Sequence, residues 1–196
     1  MPMRLLAAAV TLLLFAGSST AGTITGTVKA RGVRDPRDVV VYIEKVPGAT
    51  FSPPDRRAVM DQLNLVFVPH VLPVLVGTTV DFPNSDKVRH NVFTPSRLAD
   101  RFNLGTYPTG VVKRVTFRRP GVIPLLCNVH AEMSAYIVVL ETPYFAATGP
   151  GGTFRISDVP GGRYELKTWH EALRPLTRAV EVPADGDVAV TFELSR

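Results

Sequence analysis

The run Cys127-Asn128-Val129-His130-Ala131-Glu132-Met133 brings a thiolate, an imidazole and a thioether into seven consecutive residues, each three positions from the last. Spacing of three would put them on one face of a helix. The flanks, Val122 to Leu126 and Tyr136 to Leu140, are instead rich in strand formers, so a tight loop leaving a strand is the expected carrier. A fourth ligand must come from elsewhere, and His90, followed by Asn91 and lying downstream of a strand-like run, is the natural candidate. Two imidazoles and a thiolate in a trigonal plane, with a weak axial methionine, form the ligand set of a blue-copper electron-transfer site.

The physical logic is a compromise between oxidation states. Cu(I) prefers soft sulfur and Cu(II) accepts imidazole, and a thiolate serves both. Apolar neighbours such as Val92, Leu126 and Val129 are expected to keep water from the metal. Other chemistries fit less well. Cys127-x-x-His130 lacks the second cysteine of a c-type haem attachment site. A zinc site gains little from Met133, and a Cys/His nucleophile pair has no use for it. His70 and His170 are read as structural or surface residues, with a second metal site or a proton-linked group as the alternative.

The chain that must position these groups has 196 residues, enough for one medium or two small globular domains. Residues 1–21 read as a secretory signal peptide, with Arg4 at the charged start, an apolar run from Leu5 to Phe15, and small residues before the cleavage position. That run is too short to span a bilayer. The expectation is a protein without a membrane span, periplasmic or secreted. Cys127 is the only cysteine, so no disulfide can form within the chain. The net charge is +5, of which Arg4 supplies one. The basic clusters Arg56-Arg57, Lys113-Arg114 and Arg118-Arg119 lack interleaved aromatics, so no nucleic-acid partner is expected.

Strand signals dominate after the leader. Thr23 to Lys29 and Val39 to Ile43 are strands, and the proline-rich stretch Pro47 to Arg57 is a linker. Leu63 to Val68, Val71 to Val76, Thr78 to Phe82, Val111 to Phe117, Val122 to Leu126 and Tyr136 to Leu140 follow as strands, with Pro83 to Asp86 as the loop that delivers His90. Gly105 to Pro108 reads as a turn filled by Tyr107, with packing of Tyr107 over the site as the alternative. From Gly149 onward apolar residues alternate with period two, and Pro160-Gly161-Gly162 and Ala184 to Asp187 read as hairpin turns. No helical period, heptad or tandem repeat is evident, and the chain is expected to be all-β.

The middle block resembles the cupredoxin family. The likeness is carried by Phe67-Val68-Pro69, by Gly77 to Asn84, by His90-Asn91-Val92, by Pro120-Gly121 and by the Cys127 loop, whose spacing is similar to the short ligand loop of amicyanin. The resemblance implies a Greek-key sandwich with copper at one end, ligated by His90, Cys127, His130 and Met133, and with Asn91 tying the two ligand loops together. Amicyanin-like loops carry a proline and an apolar residue where Ala131 and Glu132 stand here, which bears on the partner surface. The outer blocks resemble a carboxypeptidase regulatory-like, transthyretin-type sandwich, through Gly26-Thr27-Val28, Val41-Tyr42-Ile43, Gly152 to Ile156 and Val159 to Leu166.

The organisation implied is a cupredoxin domain over 58–143, inserted in or adjoining a second small β-sandwich over 22–57 and 144–196. The function implied is single-electron transfer between periplasmic redox partners, with a cytochrome or dehydrogenase as the class of partner and no catalysis by the chain itself. Copper storage or delivery is the alternative, as is an interaction module that the metal only stabilises.

Overall fold

The structure, a computed structural model, describes residues 21–96 and 101–196. The chain forms β1 (Ala21–Arg31) and β2 (Val40–Ile43), then crosses the proline-rich stretch. Next come β3 (Ala58–Val59), β4 (Asp61–Leu63), β5 (Val66–Val68), β6 (Val71–Leu75), β7 (Thr79–Pro83) and β8 (His90–Phe93). They are followed by β9 (Asn103–Tyr107), β10 (Val112–Thr116), β11 (Gly121–Leu126) and β12 (Ser134–Leu140). The chain closes with β13 (Phe145–Ala147), a 3-10 turn at Pro150–Gly152, β14 (Thr153–Pro160), β15 (Gly162–Trp169), β16 (Thr177–Val182) and β17 (Asp187–Ser195). The all-β class is as expected. The leader lies outside the described residues except for Ala21, which opens β1 and pairs with Pro160.

Two cores explain the strand patterns. A five-stranded sheet, β6-β12-β11-β8-β9, and a three-stranded one, β10-β7-β3, contribute to the first, where Met60, Val80, Phe82, Val92, Leu125 and Ile137 are buried. β12 is apolar on both faces because Ala135, Ile137 and Val139 enter this core while Tyr136, Val138 and Leu140 pack into a second cluster on its other side. A second pair of sheets, β14-β1-β17 and β13-β2-β15-β16, shares the other core, with Ile24, Ile43, Leu166 and Leu194 among its fully or almost fully buried residues. Burial of each such aliphatic side chain stabilises by roughly 1.5–3 kcal/mol. β17 alternates strictly between exposed and buried along its second half, as the period-two pattern requires. Gly26, in the middle of β1, lies where any Cβ would collide with the Val190 carbonyl and the Phe154 ring, so only glycine fits. A smaller cluster of Val40, Val71, Val138 and Leu140, packed by Tyr136 and Trp169, joins the two halves.

Three local expectations are corrected. Leu63 to Val68 is two short strands rather than one. Asn64 and Leu65 turn with positive φ of 53° and 62°, and β4 pairs back on β5. The turns at 160–162 and 184–187 do not close hairpins: β14 and β17 belong to one sheet and β15 and β16 to the other, so each turn carries the chain across the core. Gly105 to Tyr107 belongs to β9, and Tyr107 is buried opposite His90 rather than filling a turn.

Candidate metal centre

β11 and β12 form an antiparallel pair that ends at Leu126 opposite Ser134, so Cys127 to Met133 is the tip of a hairpin. Its backbone is internally tied. The Cys127 N–H donates to the Met133 carbonyl (3.3 Å), and the Met133 N–H donates to the His130 carbonyl (3.1 Å). β8 lies beside β11, with Phe93 opposite Leu126, which places His90 at the same end of the sheet. This explains how residues nearly forty positions apart in sequence converge: adjacent strands deliver both.

The Cys127 sulfur and one ring nitrogen each of His90 and His130 all lie within 4.8 Å of one another. The two rings stand 4.9 Å apart at 64°, with Nδ1 facing Nδ1 at 3.1 Å. His90 is fully buried, Cys127 is 5% exposed and Met133 1%, whereas His130 is partly exposed and Ala131 and Glu132 lie at the surface. Met133 ends the loop, with its backbone bonded to both Cys127 and His130. Among the described residues this is the group of His, Cys, Asp and Glu side chains close enough to hold a metal ion. Neither His70 nor His170 belongs to it.

Asp86 fixes the orientation of His90. Its Oδ2 accepts from the Leu65 N–H (2.7 Å) and from His90 Nε2 (3.0 Å), and its Oδ1 accepts from the Lys87 N–H (2.7 Å). These bonds, the Leu65 amide first and then His90 and Lys87, hold the carboxyl at a pKa of about 2. An ionised carboxylate at Nε2 accepts from the N–H there, which keeps the ring proton on Nε2 and leaves the Nδ1 lone pair facing His130. Asp86 is held in turn, its N–H bonded to Asn84 Oδ1 and its carbonyl accepting from Thr109 Oγ1. From sequence alone Asp86 is only the end of the loop that delivers His90. The available signal was a carboxylate four positions before a candidate ligand.

The donor set fits a copper ion. Two imidazole nitrogens and one cysteine sulfur within 4.8 Å of one another are the borderline and soft donors that would hold copper in both of its oxidation states. Two expectations around the site are corrected. Asn91 does not bond to the Cys127 loop: its Nδ2 donates to Asn103 Oδ1 on β9 (2.7 Å), and its Oδ1 is buried without a partner. Val92 is buried as a water shield, but Val129 is 46% exposed and points away from that task. Behind the site, the Tyr107 hydroxyl accepts from Gln62 Nε2 and donates to the Phe82 carbonyl, and burial pushes its pKa up to about 12.

No protein-family model matches the chain, and no curated protein matches it. Solved structures are similar to part of it. A reduced tryptophan-to-tyrosine variant of amicyanin is 24% identical at a TM-score of 0.41, over 45% of this chain and 91% of that one. A Cu-containing nitrite reductase from Thermus scotoductus SA-01 is 28% identical at 0.43, over 50% of this chain and 25% of the reductase. A purple cupredoxin from Nitrosopumilus maritimus is 25% identical at 0.38, over 42% and 98% of the two chains.

Proposed function

We propose that the chain binds one copper ion through His90, Cys127, His130 and Met133 and passes single electrons between protein partners outside the cytoplasm. The observation that carries this reading is the convergence of one thiolate and two imidazoles, with three of the four candidate ligands buried. Bound copper would supply a one-electron couple. The chain's part is to keep the donors fixed. Asp86 locks the His90 ring, the hairpin locks Cys127 against Met133, and the Phe82, Val92 and Leu125 core beneath excludes water. His130, the one partly exposed ligand, is the route to the surface. A carrier that gives its metal away needs more open ligands than these, which favours electron transfer over storage or delivery.

The surface around His130 favours a protein partner. Leu65, Val88, Val112 and Val129 are exposed, and all lie at this end. The Leu65 amide is bonded to Asp86, the Val88 carbonyl to Asn84, Val112 pairs with Pro83, and Val129 precedes His130. Exposed Lys87 and Arg89 flank Val88, with Glu132 as the opposing charge. An apolar centre with basic neighbours suits a redox protein with an acidic rim, whose association slows as salt rises. Among the described residues no helix is long and apolar enough to cross a membrane.

Adding Cu(II) to the purified mature protein tests the reading. An intense visible thiolate-to-copper band is expected, with reversible reduction and fast self-exchange. The same band persisting in Cys127→Ser would refute the ligand set, and ready surrender of copper to a chelator would favour storage or delivery.

A further inference from the structure

The base of the ligand hairpin meets the other sandwich at His70 and Tyr136, and both side chains interact with Glu171. His70 precedes β6, and its carbonyl accepts from the Tyr136 N–H (2.9 Å). Its ring lies between two acceptors. Nδ1 is 3.2 Å from the carbonyl oxygen of Ser134, and Nε2 is 2.9 Å from Glu171 Oε1. Ser134 immediately follows Met133 and pairs with Leu126, the residue before Cys127. Glu171 belongs to the segment after β15, in the sandwich that carries no metal ligand.

A peptide carbonyl and an ionised carboxylate only accept hydrogen bonds. A neutral imidazole has a single N–H, so both bonds coexist only when the ring carries both protons. Glu171 therefore helps to decide whether His70 can hold the Ser134 carbonyl. The surroundings keep the pair in place. The Tyr136 ring meets His70 edge-on at 5.8 Å and packs on Trp169 at 5.2 Å. The other charged or titratable groups facing His70 are Asp38 and His170. Asp38 is flanked by Arg37, and His170 Nδ1 accepts the Ala172 N–H.

We propose that His70 is a positioning residue that couples Glu171, on the outer sandwich, to the Met133 end of the ligand loop through the Ser134 carbonyl. The consequence for a bound metal rests on the copper reading above. The coupling itself does not.

The experiment has a metal-free arm and a copper arm. In the metal-free protein, Glu171→Ala and His70→Phe are expected to shift the Ser134 amide and Met133 methyl resonances in the same direction. With both changes made in a Tyr136→Phe background, which removes the separate contact of that hydroxyl with Glu171, the double variant should shift them no further than His70→Phe alone. Glu171→Gln, which keeps an acceptor without the charge, should restore part of the change, and Glu193→Ala, which removes an exposed carboxylate on β17, should produce none. In the copper-loaded protein the same variants should change the ratio of Cu(I) to Cu(II) affinity by about fivefold or more, the low end of coupling between distinct sites. Circular dichroism and thermal unfolding check the fold, and exposed Glu171 keeps the test available if His70→Phe does not fold. Resonances that stay in place in folded Glu171→Ala, or strictly additive effects, overturn the coupling. Resonances that move while the affinity ratio holds overturn its consequence for the metal. Wild-type protein that binds no copper overturns the copper reading, and with it that consequence, while the metal-free arm still decides the coupling.

Discussion

Replacing Asp86 by asparagine exchanges one carboxylate oxygen for an NH2 group and poses a choice that the site cannot resolve without loss. The carboxylate accepts three hydrogen bonds, from Leu65, His90 and Lys87. Asparagine has one acceptor oxygen and one donor group. With its oxygen toward Leu65 and His90, its NH2 opposes the Lys87 N–H, and the bond to His90 is a neutral one, about half as strong as the charge-assisted original. With the amide reversed, NH2 opposes the Leu65 N–H and His90 must move its proton to Nδ1, the nitrogen that faces His130. Either arrangement weakens or blocks one donor. Loss of a ligand's supporting partner typically costs ten- to a hundredfold in metal affinity, and that range is expected for Asp86→Asn. Competition against a chromogenic Cu(I) chelator measures it, and circular dichroism of the metal-free protein confirms the fold. Affinity within twofold of wild type in a folded variant would refute the role given to Asp86.

Acid titration probes the same carboxylate. Its folded pKa of about 2 lies below the ordinary 3.8, so its contribution to stability is present above 3.8 and is lost as the pH falls through about 2; the acid limb of metal-free unfolding should flatten over that range in Asp86→Asn. Tyr107→Phe leaves Gln62 Nε2 bonded only to the Pro83 carbonyl and the Phe82 carbonyl without its hydroxyl donor. A loss of ~1–3 kcal/mol is expected, read as a drop of roughly 2–4 °C in Tm per kcal/mol. In an alkaline titration followed by tyrosine absorbance, the step near pH 12 should vanish in that variant, since burial raises this hydroxyl to about 12. Gly26→Ala drives a methyl into the Val190 carbonyl and the Phe154 ring. Destabilisation of about 3 kcal/mol or more is expected from overpacking, measured by denaturant unfolding, and a variant as stable as wild type would contradict the strand packing.

Period and spacing made much of this molecule legible. Alternation in β17 and the unbroken apolar run of β12 follow from burial on one face or on two, and a sequence displays that directly. The convergence of His90 on the Cys127 loop was readable because a loop between strands can present closely spaced ligands to one point. What was missed depends on the partner of each group. Asn64-Leu65 carries no glycine, and its one hint of a left-handed turn was Asn64, a residue type that tolerates positive φ, beside a leucine that rarely does. The turns at 160–162 and 184–187 have hairpin composition, but whether two strands pair is decided by the sheet each one joins. Asp86 and Asn91 exchanged importance for the same reason. Both are polar residues beside a ligand, and only the fold shows that Asp86 reaches His90 while Asn91 reaches Asn103.

The parallel pairing of β1 with β17 joins Thr23 through Arg31 to Asp187 through Ser195, the beginning of the described chain to its end. Strands β3 to β12, by contrast, close their core within one continuous stretch. A chain emerging from its amino end can therefore assemble the ligand-bearing sandwich while β1 still waits for its partner. Contacts of long sequence separation form last because loop closure must come first. β17, far along the chain from β1, completes the sheet that β1 began. Removal of a few residues from the carboxyl end should thus unravel the outer sandwich and leave the four candidate ligands together.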